Sequence, residues 1–204
     1  MLTTLYLIRH GATAANLARP PILQGRTMDP PLAPDGIRQA RATAELLAGC
    51  AIARGYSSPM RRAVETLEVL GNAREWPTHS LESLTECDIG AWEGSSWEAI
   101  RREEPQAEAD FKRDPAANGY RGGENFDQVH RRAVEAMTRI VEAHPGETIV
   151  VVSHNIVLRT FLAGLLGLPP SRARAVLLDN CGVSKATHDA CGWELRMLNS
   201  ALHL

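Results

Sequence analysis

The sequence contains no Cys-x-x-C pair; its four cysteines stand apart at Cys50, Cys87, Cys181 and Cys191. That spacing indicates neither a zinc knuckle nor a disulfide framework. A reducing, cytoplasmic home is the simplest expectation. No apolar run approaches the length needed to cross a bilayer, and the N-terminus lacks the basic n-region of a secretory signal. Charge of one sign is not in excess either. A formal net charge of -2 and a pI near 6.4 give no bulk attraction to nucleic acid or to an anionic membrane, so neither is expected as a partner. Repeats, linkers and low-complexity tracts are missing. What is present is a chain of 204 residues, 44% of them hydrophobic. That is enough for a sizeable core, and one domain over 1–204 is expected.

The stretch Leu5-Tyr6-Leu7-Ile8-Arg9-His10-Gly11-Ala12-Thr13 organises the rest. A short apolar run rich in Leu and Ile reads as a buried strand. It stops abruptly at a cation, an imidazole and a glycine. In an open α/β sheet, ligands sit beyond the carboxyl ends of the strands, which places His10 at the rim of a cleft. Gly11 permits a sharp turn and close approach of a ligand to the backbone. A guanidinium beside an imidazole suits a phosphoryl group: Arg9 can clamp oxygens bidentately and His10 can attack phosphorus. Two solvated polar residues at a strand end would look the same in isolation.

Further along, Pro34-Asp35-Gly36 opens a helix with Ile37, Ala40, Ala44 and Leu47 at helical spacing and Gly49 as its C-cap. Residues 51–56 read as a weak strand. Ser58 and Pro59 suit the cap and first position of a helix that runs to about Gly71. Another short strand is expected within 72–84. The segment from Leu84 to Gly94 gathers three acids and two glycines, Glu86 among them. Trp97 to Glu104 reads as a charged helix, and the polar stretch 105–123 as a mobile lid over a site. From Asn125 to His144, the residues Phe126, Val129, Ala133, Met137, Ile140 and Val141 share one helix face. Thr148 to Val152 repeats the opening pattern, an apolar strand running into Ser153-His154-Asn155. A helix from about Ile156 to Leu166 follows, and an antiparallel hairpin turns around Ala190-Cys191-Gly192. Alternating strands and helices predict an α/β three-layer sandwich: a mostly parallel central sheet, helices on both faces, and an antiparallel C-terminal hairpin.

Two strands ending in His10 and His154, two arginines at Arg9 and Arg62, and Glu86 in a glycine-bounded loop could surround one tetrahedral dianion. With these residues the chain resembles the histidine phosphatase superfamily, the phosphoglycerate mutase-like proteins. The family's Arg-His-Gly opening matches Arg9-His10-Gly11 with Thr13 and Asn16 following. Its Gln-Gly element matches Gln24-Gly25, and its Leu-x-x-x-Gly-x-x-Gln-Ala helix matches Leu32, Gly36 and Gln39-Ala40. Ser58, Arg62-Ala63 and Thr66 match its Ser-x-x-x-Arg-Ala-x-x-Thr element. Leu84, Glu86, Gly90 and Glu93-Gly94 match the acid-bearing loop. Gly122-Gly123-Glu124 matches a phosphatase-branch element, with Asn125 in place of Ser. Ser153-His154 and Asn180-Cys181-Gly182 complete the series, in family order over nearly the whole chain.

The resemblance implies a phosphohistidine at His10, with Arg9, Arg62 and His154 holding the phosphoryl oxygens and Glu86 as general acid and then base. It also brings Thr13, Asn16, Gln24, Gly25 and Asn155 to the substrate, without metal or other cofactor. Arg61 and Arg62 are adjacent and both could be solvated, but the Ser58 and Thr66 spacing favours Arg62. His79, His130, His144, His188 and His203 match no motif and read as surface or structural. Glu93 reads as a residue that steadies its loop, and Trp92 and Trp97 as core or cleft wall. The expected activity is hydrolysis of a small phosphomonoester. A phosphoglycerate mutase and a non-catalytic phosphate-binding relative are the alternatives, and a homodimer is among the open oligomeric states. Two departures bear on the choice: Cys87 stands where the resemblance places a mutase Arg, and the interval from Glu86 to His154 lacks the longer mutase insertion; a third, Ala12 in place of the Glu or Gln often found after Gly11, bears on the substrate pocket and not on the chemistry.

Overall fold

A computed structural model describes residues 1–71 and 76–204. Its centre is a six-stranded sheet in the order β3-β2-β4-β1-β5-β6, built from β1 (Thr3–Arg9), β2 (Arg54–Ser57), β3 (Thr78–Ser80), β4 (Thr148–Ser153), β5 (Val183–Asp189) and β6 (Gly192–Ser200). The first four are mutually parallel. β5 runs antiparallel to β1, and the β5–β6 hairpin is antiparallel. The expected α/β sandwich with its C-terminal hairpin is therefore what forms. Of the strand expected within 72–84, β3 lies in the second part; residues 72–75 are outside the described residues.

Alternation along the central strands sends apolar side chains to both faces, as period-2 geometry requires. On one face Leu5, Leu7, Ile149 and Val151 pack against α6 (Phe126–Ala143) and α7 (Asn155–Leu165). On the other, Ile8, Val150 and Val152 pack with Leu47, Ala63, Leu67 and Leu70, contributed by the end of α2 (Pro34–Leu46), which follows the one-turn α1 (Ala14–Leu17), and by α3 (Arg61–Gly71). The face of α6 read from the sequence is buried throughout. Asn125 caps it, with Gln128 reaching back to complete a capping box. Two boundaries differ from expectation. The Ser58 hydroxyl accepts from Met60 N at 3.1 Å, so the helix begins after Pro59 rather than at it. Gly49 takes no left-handed conformation; α2 closes on Leu47, whose N–H donates to Thr43 at 3.0 Å.

The segment expected as a lid is largely structured. Residues Pro105–Arg113 form α5, after a short α4 (Trp97–Glu103) and a capping Ser96. Phe111 and Tyr120 anchor the segment in an aromatic cluster with Trp92, Trp97 and Phe126. Such edge-to-face ring contacts add to simple burial.

Backbone closeness, together with the Gln39 side chain, whose Oε1 accepts from Ala12 N at 3.0 Å, joins the first turn to α2. Ala33 N donates to the Ala12 carbonyl at 2.9 Å. A Cβ on Gly36 would collide with that same carbonyl oxygen and lie 2.7 Å from Ala12 N. We expect Gly36→Ala to lose roughly 1–3 kcal/mol, the usual cost of overpacking, although alanine is the better helix former. Gly49, with open space around its Cα, is the control. Denaturant unfolding of both variants checks this; Gly36→Ala as stable as Gly49→Ala would count against it.

Candidate active site

Register does the first part of the assembly. Arg9 pairs with Ser153 across the parallel β1–β4 ladder, and His10 N donates to the Ser153 carbonyl at 3.0 Å. His10 and His154 therefore leave adjacent strand ends together, with ring centroids 5.1 Å apart. From these ends the chain departs in opposite directions, from β1 toward β2 and from β4 toward β5. This is the switch point at which open α/β sheets form crevices. A cavity of about 300 Å³ opens there, with Arg9, His10, Arg62 and Glu86 in its wall.

His10 is only 3% exposed, so it lies on the cavity floor rather than at a solvated rim. Its Nδ1 is 2.8 Å from the Gly11 carbonyl oxygen. Its Nε2 lies 3.3 Å from Arg62 Nε. A carbonyl only accepts and a guanidinium N–H only donates. Both contacts therefore require the tautomer with the proton on Nδ1 and a lone pair on Nε2, facing the cavity cations. Burial first, then Arg62 and Arg9, push the His10 pKa well below the ordinary histidine value. The ring is neutral at neutral pH.

Arg62 is fully buried. It is aimed by three acceptors: Met28 O at 2.8 Å, Gly25 O at 3.0 Å and His10 Nε2. Its own helix is tied to the first turn through Thr66, whose hydroxyl donates to Arg62 O at 2.7 Å and accepts from Gly11 N at 3.0 Å. Arg9 donates from Nη1 to Leu178 O at 2.7 Å; its Nε has no partner among the described residues. Burial lowers its pKa to about 10, which leaves it cationic at neutral pH. His154 is wholly buried beside His10, and neither of its ring nitrogens has a hydrogen-bond partner among the described residues. Burial and neighbouring cations drive its pKa well down.

Glu86 is 4% exposed. Its Oε1 accepts from Cys87 N at 2.9 Å and from Ile156 N, in the first turn of α7, at 3.3 Å. Burial raises its pKa; the Cys87 N–H and the cations Arg62, Arg132 and Arg9 pull the other way without cancelling it. A carboxyl held toward its protonated form beside a neutral imidazole is the division of labour expected of an acid and a nucleophile.

Of the other residues singled out from the sequence, Asn16, Gln24 and Asn155 line the cavity. Gln24 Nε2 and Asn155 Oδ1 are buried without partners among the described residues. Asn16 is occupied by Thr13 N and by Asn180. Thr13 and Gly25 stand behind the wall: Thr13 reaches Gln24 Oε1 at 2.8 Å, and Gly25 holds Arg62 through its carbonyl. Tyr120, Ile22, Ile89 and Glu98 line the cavity; the first three lie in segments the sequence associates with the site, but no motif named any of the four individually. Asn180 supports His10 through its carbonyl at 2.8 Å; its place in the Asn-Cys-Gly turn was its one signal. The five other histidines lie off the cavity wall; His144 meets the Tyr56 hydroxyl and His130 the Thr160 carbonyl. Among the described residues no group of His, Cys, Asp and Glu is arranged to hold a metal ion, and no helix is long and apolar enough to cross a membrane.

Glu93 steadies a different loop from its own. Its carboxylate accepts from Gly25 N at 2.9 Å, Thr27 N at 3.1 Å and Met28 N at 2.6 Å, and from the Thr27 hydroxyl. That is the loop whose carbonyls aim Arg62. Glu93→Ala should cost about 2 kcal/mol, the scale of a lost charge-assisted bond, and weaken inorganic phosphate binding several-fold. Unfolding and titration calorimetry measure the two; destabilisation with unchanged phosphate affinity would argue against a link between this loop and Arg62.

The model of the histidine phosphatase superfamily (branch 1) matches residues 5–201. Over 210 aligned residues the chain is 30% identical to the probable phosphoglycerate mutase GpmB of Yersinia pestis, covering 98% of this chain and 94% of that one. The structure of YhfR from Bacillus stearothermophilus is similar with a TM-score of 0.92 at 33% identity, covering 98% of each chain. A phosphoserine phosphatase of Entamoeba histolytica, solved with 3-phosphoglyceric acid, has a TM-score of 0.85 at 29% identity, covering 99% of each. The family model spans nearly the whole chain and the fold is that of these solved structures, so the chain belongs to the histidine phosphatase superfamily, branch 1.

Proposed function

We propose that the protein is a phosphatase that hydrolyses small phosphomonoesters through a phosphohistidine at His10, without a metal. The observation that carries this reading is the His10 tautomer: Nδ1–H is tied to Gly11 and the Nε2 lone pair faces Arg62, with Glu86 in the same cavity wall. Nε2 attacks phosphorus, and the P–O bond to the leaving group breaks as Glu86 gives that oxygen its proton. Water then attacks the phosphohistidine while the Glu86 carboxylate takes a proton from it. Inorganic phosphate leaves, and His10 is neutral again. Charge on the equatorial oxygens is met by Arg9 and Arg62 and by the N-terminus of α7. His154, whose ring centroid is 5.1 Å from that of His10, meets a further phosphoryl oxygen.

The rest of the cavity indicates what the phosphate is attached to. Ile22, Leu23, Ile89, Trp97, Tyr120 and Ile156 make an apolar wall, and Glu98 adds a carboxylate. Apart from Arg9 and Arg62 the lining carries no cation among the described residues, and Cys87 is buried with an uncharged thiol whose pKa burial raises. A leaving alcohol that is neutral and partly apolar fits this wall better than one bearing a carboxylate. The mutase reading keeps one specific support, the 30% identity to a probable phosphoglycerate mutase. A paired assay on one preparation, with bisphosphoglycerate as primer and a chelator present, separates the two. Phosphate release should predominate, with an acid-labile, alkali-stable phosphoryl group on His10 that His10→Ala abolishes. Isomerisation of 2- and 3-phosphoglycerate outpacing phosphate release would overturn the phosphatase reading. Loss of activity on chelation would overturn the metal-free one.

A pH profile tests the acid. Hydrolysis needs His10 neutral and Glu86 protonated. The first pKa is lowered and the second raised, so kcat/KM should decline on the alkaline side as Glu86 ionises. Glu86→Gln should lower turnover of an alkyl phosphate by roughly 10²–10⁴-fold and abolish that alkaline limb. The substrate is the same in both, so its own ionisation cancels. An unchanged limb in Glu86→Gln would remove Glu86 from the acid role.

A further inference from the structure

Arg132 lies outside the cavity wall, on the side of α6 that faces the back of the acid-bearing loop. We propose that it is a positioning residue for the Glu86 carboxyl, holding the 83–88 loop by its peptide carbonyls, and that Glu124 in turn fixes Arg132. The proposal rests on the acid role given to Glu86 above.

All five N–H groups of this guanidinium are engaged. Nη1 donates to Ser83 O at 2.9 Å and Thr85 O at 2.6 Å. Nη2 donates to Glu86 O at 3.2 Å and Glu124 Oε2 at 2.9 Å, and Nε to Glu124 Oε1 at 2.8 Å. The carbonyl these bonds leave over, Leu84 O, accepts from the Ser153 hydroxyl at 2.8 Å, one residue before His154. Glu124 closes the far side of the loop, accepting from Asp88 N at 2.9 Å and donating its own N–H to Asp88 O at 2.8 Å. Thus the peptides on both sides of the Glu86 Cα are pinned, while Oε1 is pinned by Cys87 N and Ile156 N.

This arrangement differs from an ordinary salt bridge to the acid. Arg132 binds the loop's backbone and Glu124, not the Glu86 carboxylate. Its hydrogen bonds therefore fix the root of the side chain; its charge lowers the Glu86 pKa, as those of Arg62 and Arg9 do, and burial still dominates. A planar fork with five donors does this; an ammonium with three cannot reproduce it. Proton transfer depends steeply on the placement of the acid, and a misplacement of about 1 Å can cost of order 10²-fold. The leaving-group oxygen that most needs a proton is the one that feels that misplacement most.

The test compares Arg132→Met, Arg132→Lys and Glu86→Gln on n-butyl phosphate and on 4-nitrophenyl phosphate, with vanadate affinity measured in each. Arg132→Met should lower kcat/KM on butyl phosphate by about 10–100-fold, with a several-fold smaller loss on the nitrophenyl ester, whose leaving group needs little protonation. Arg132→Lys should recover part of the loss, and vanadate should bind Arg132→Met within a few-fold of the unaltered protein. In a Glu86→Gln background, Arg132→Met should cost little more, because the proton it helps to place is gone. Equal losses on both esters, or a loss undiminished in the Glu86→Gln background, would overturn the proposal. If Arg132→Met does not fold, Glu124→Gln takes its place with the same expected pattern, and equal losses there overturn it too. Should Glu86→Gln itself lose both esters equally, the acid role fails and this proposal falls with it. Leaving-group dependence in Glu86→Gln without it in Arg132→Met refutes the positioning role alone.

Discussion

Because Arg9 lies opposite Ser153 in a parallel ladder, the next residue of each chain segment leaves the sheet beside the other. Every other part of the site is arranged around that pair. A slip of one residue would exchange the two faces of β1 and β4, placing Leu5 and Leu7 where Ile8 now packs and separating His10 from His154. The apolar sequences of both strands fix this register because both faces are covered. Stability of the core and geometry of the site are therefore the same constraint.

The second consequence of burial is electrostatic. His10, His154, Arg62 and Glu86 are almost inaccessible to water, and Arg9 beside them is partly buried. Desolvation penalises every charged form, and the groups with pKa values nearest neutrality give way first. Both imidazoles become neutral and Glu86 moves toward its protonated form. Arg9 and Arg62, whose ordinary values lie far above neutrality, stay charged despite a lowered pKa. A single physical effect thus separates two cations from two neutral imidazoles and a carboxyl held toward its protonated form.

Charged residues outside the cavity hold the loops that carry this machinery. Glu93 gathers the amides of the 25–28 loop, whose carbonyls aim Arg62. Arg132 and Glu124 do the converse for the 83–88 loop, gathering carbonyls and an amide. Loops between buried elements expose many peptide groups, and each needs a partner. Here a few ions satisfy them in groups, which also leaves the loops little freedom.

The sequence by itself determined the strands ending in His10 and His154, the amphipathic face of α6, the C-terminal hairpin and, through motif order, Arg9, Arg62 and Glu86 as one group. Those features are local: apolar period, turn residues and fixed spacings within a few residues of each other. The sequence was less able to determine the ends of α2 and α3, where capping is shared among neighbouring polar groups, or the form of 105–123. That stretch looked polar because the two aromatic residues that anchor it, Phe111 and Tyr120, lie far apart in it and meet Trp92 and Trp97 only in space. Tertiary structure alone decided which side chains face the cavity and which stand behind it. Thr13 and Gly25 turned to support other residues, while Tyr120, Ile89 and Glu98 joined the wall. It alone made Arg132 and Glu93 anchors for loops 46–68 residues away in sequence. A hydrogen bond between residues so distant leaves no period or spacing along the chain, because what sets it is the packing of α6 and the loops on a finished sheet.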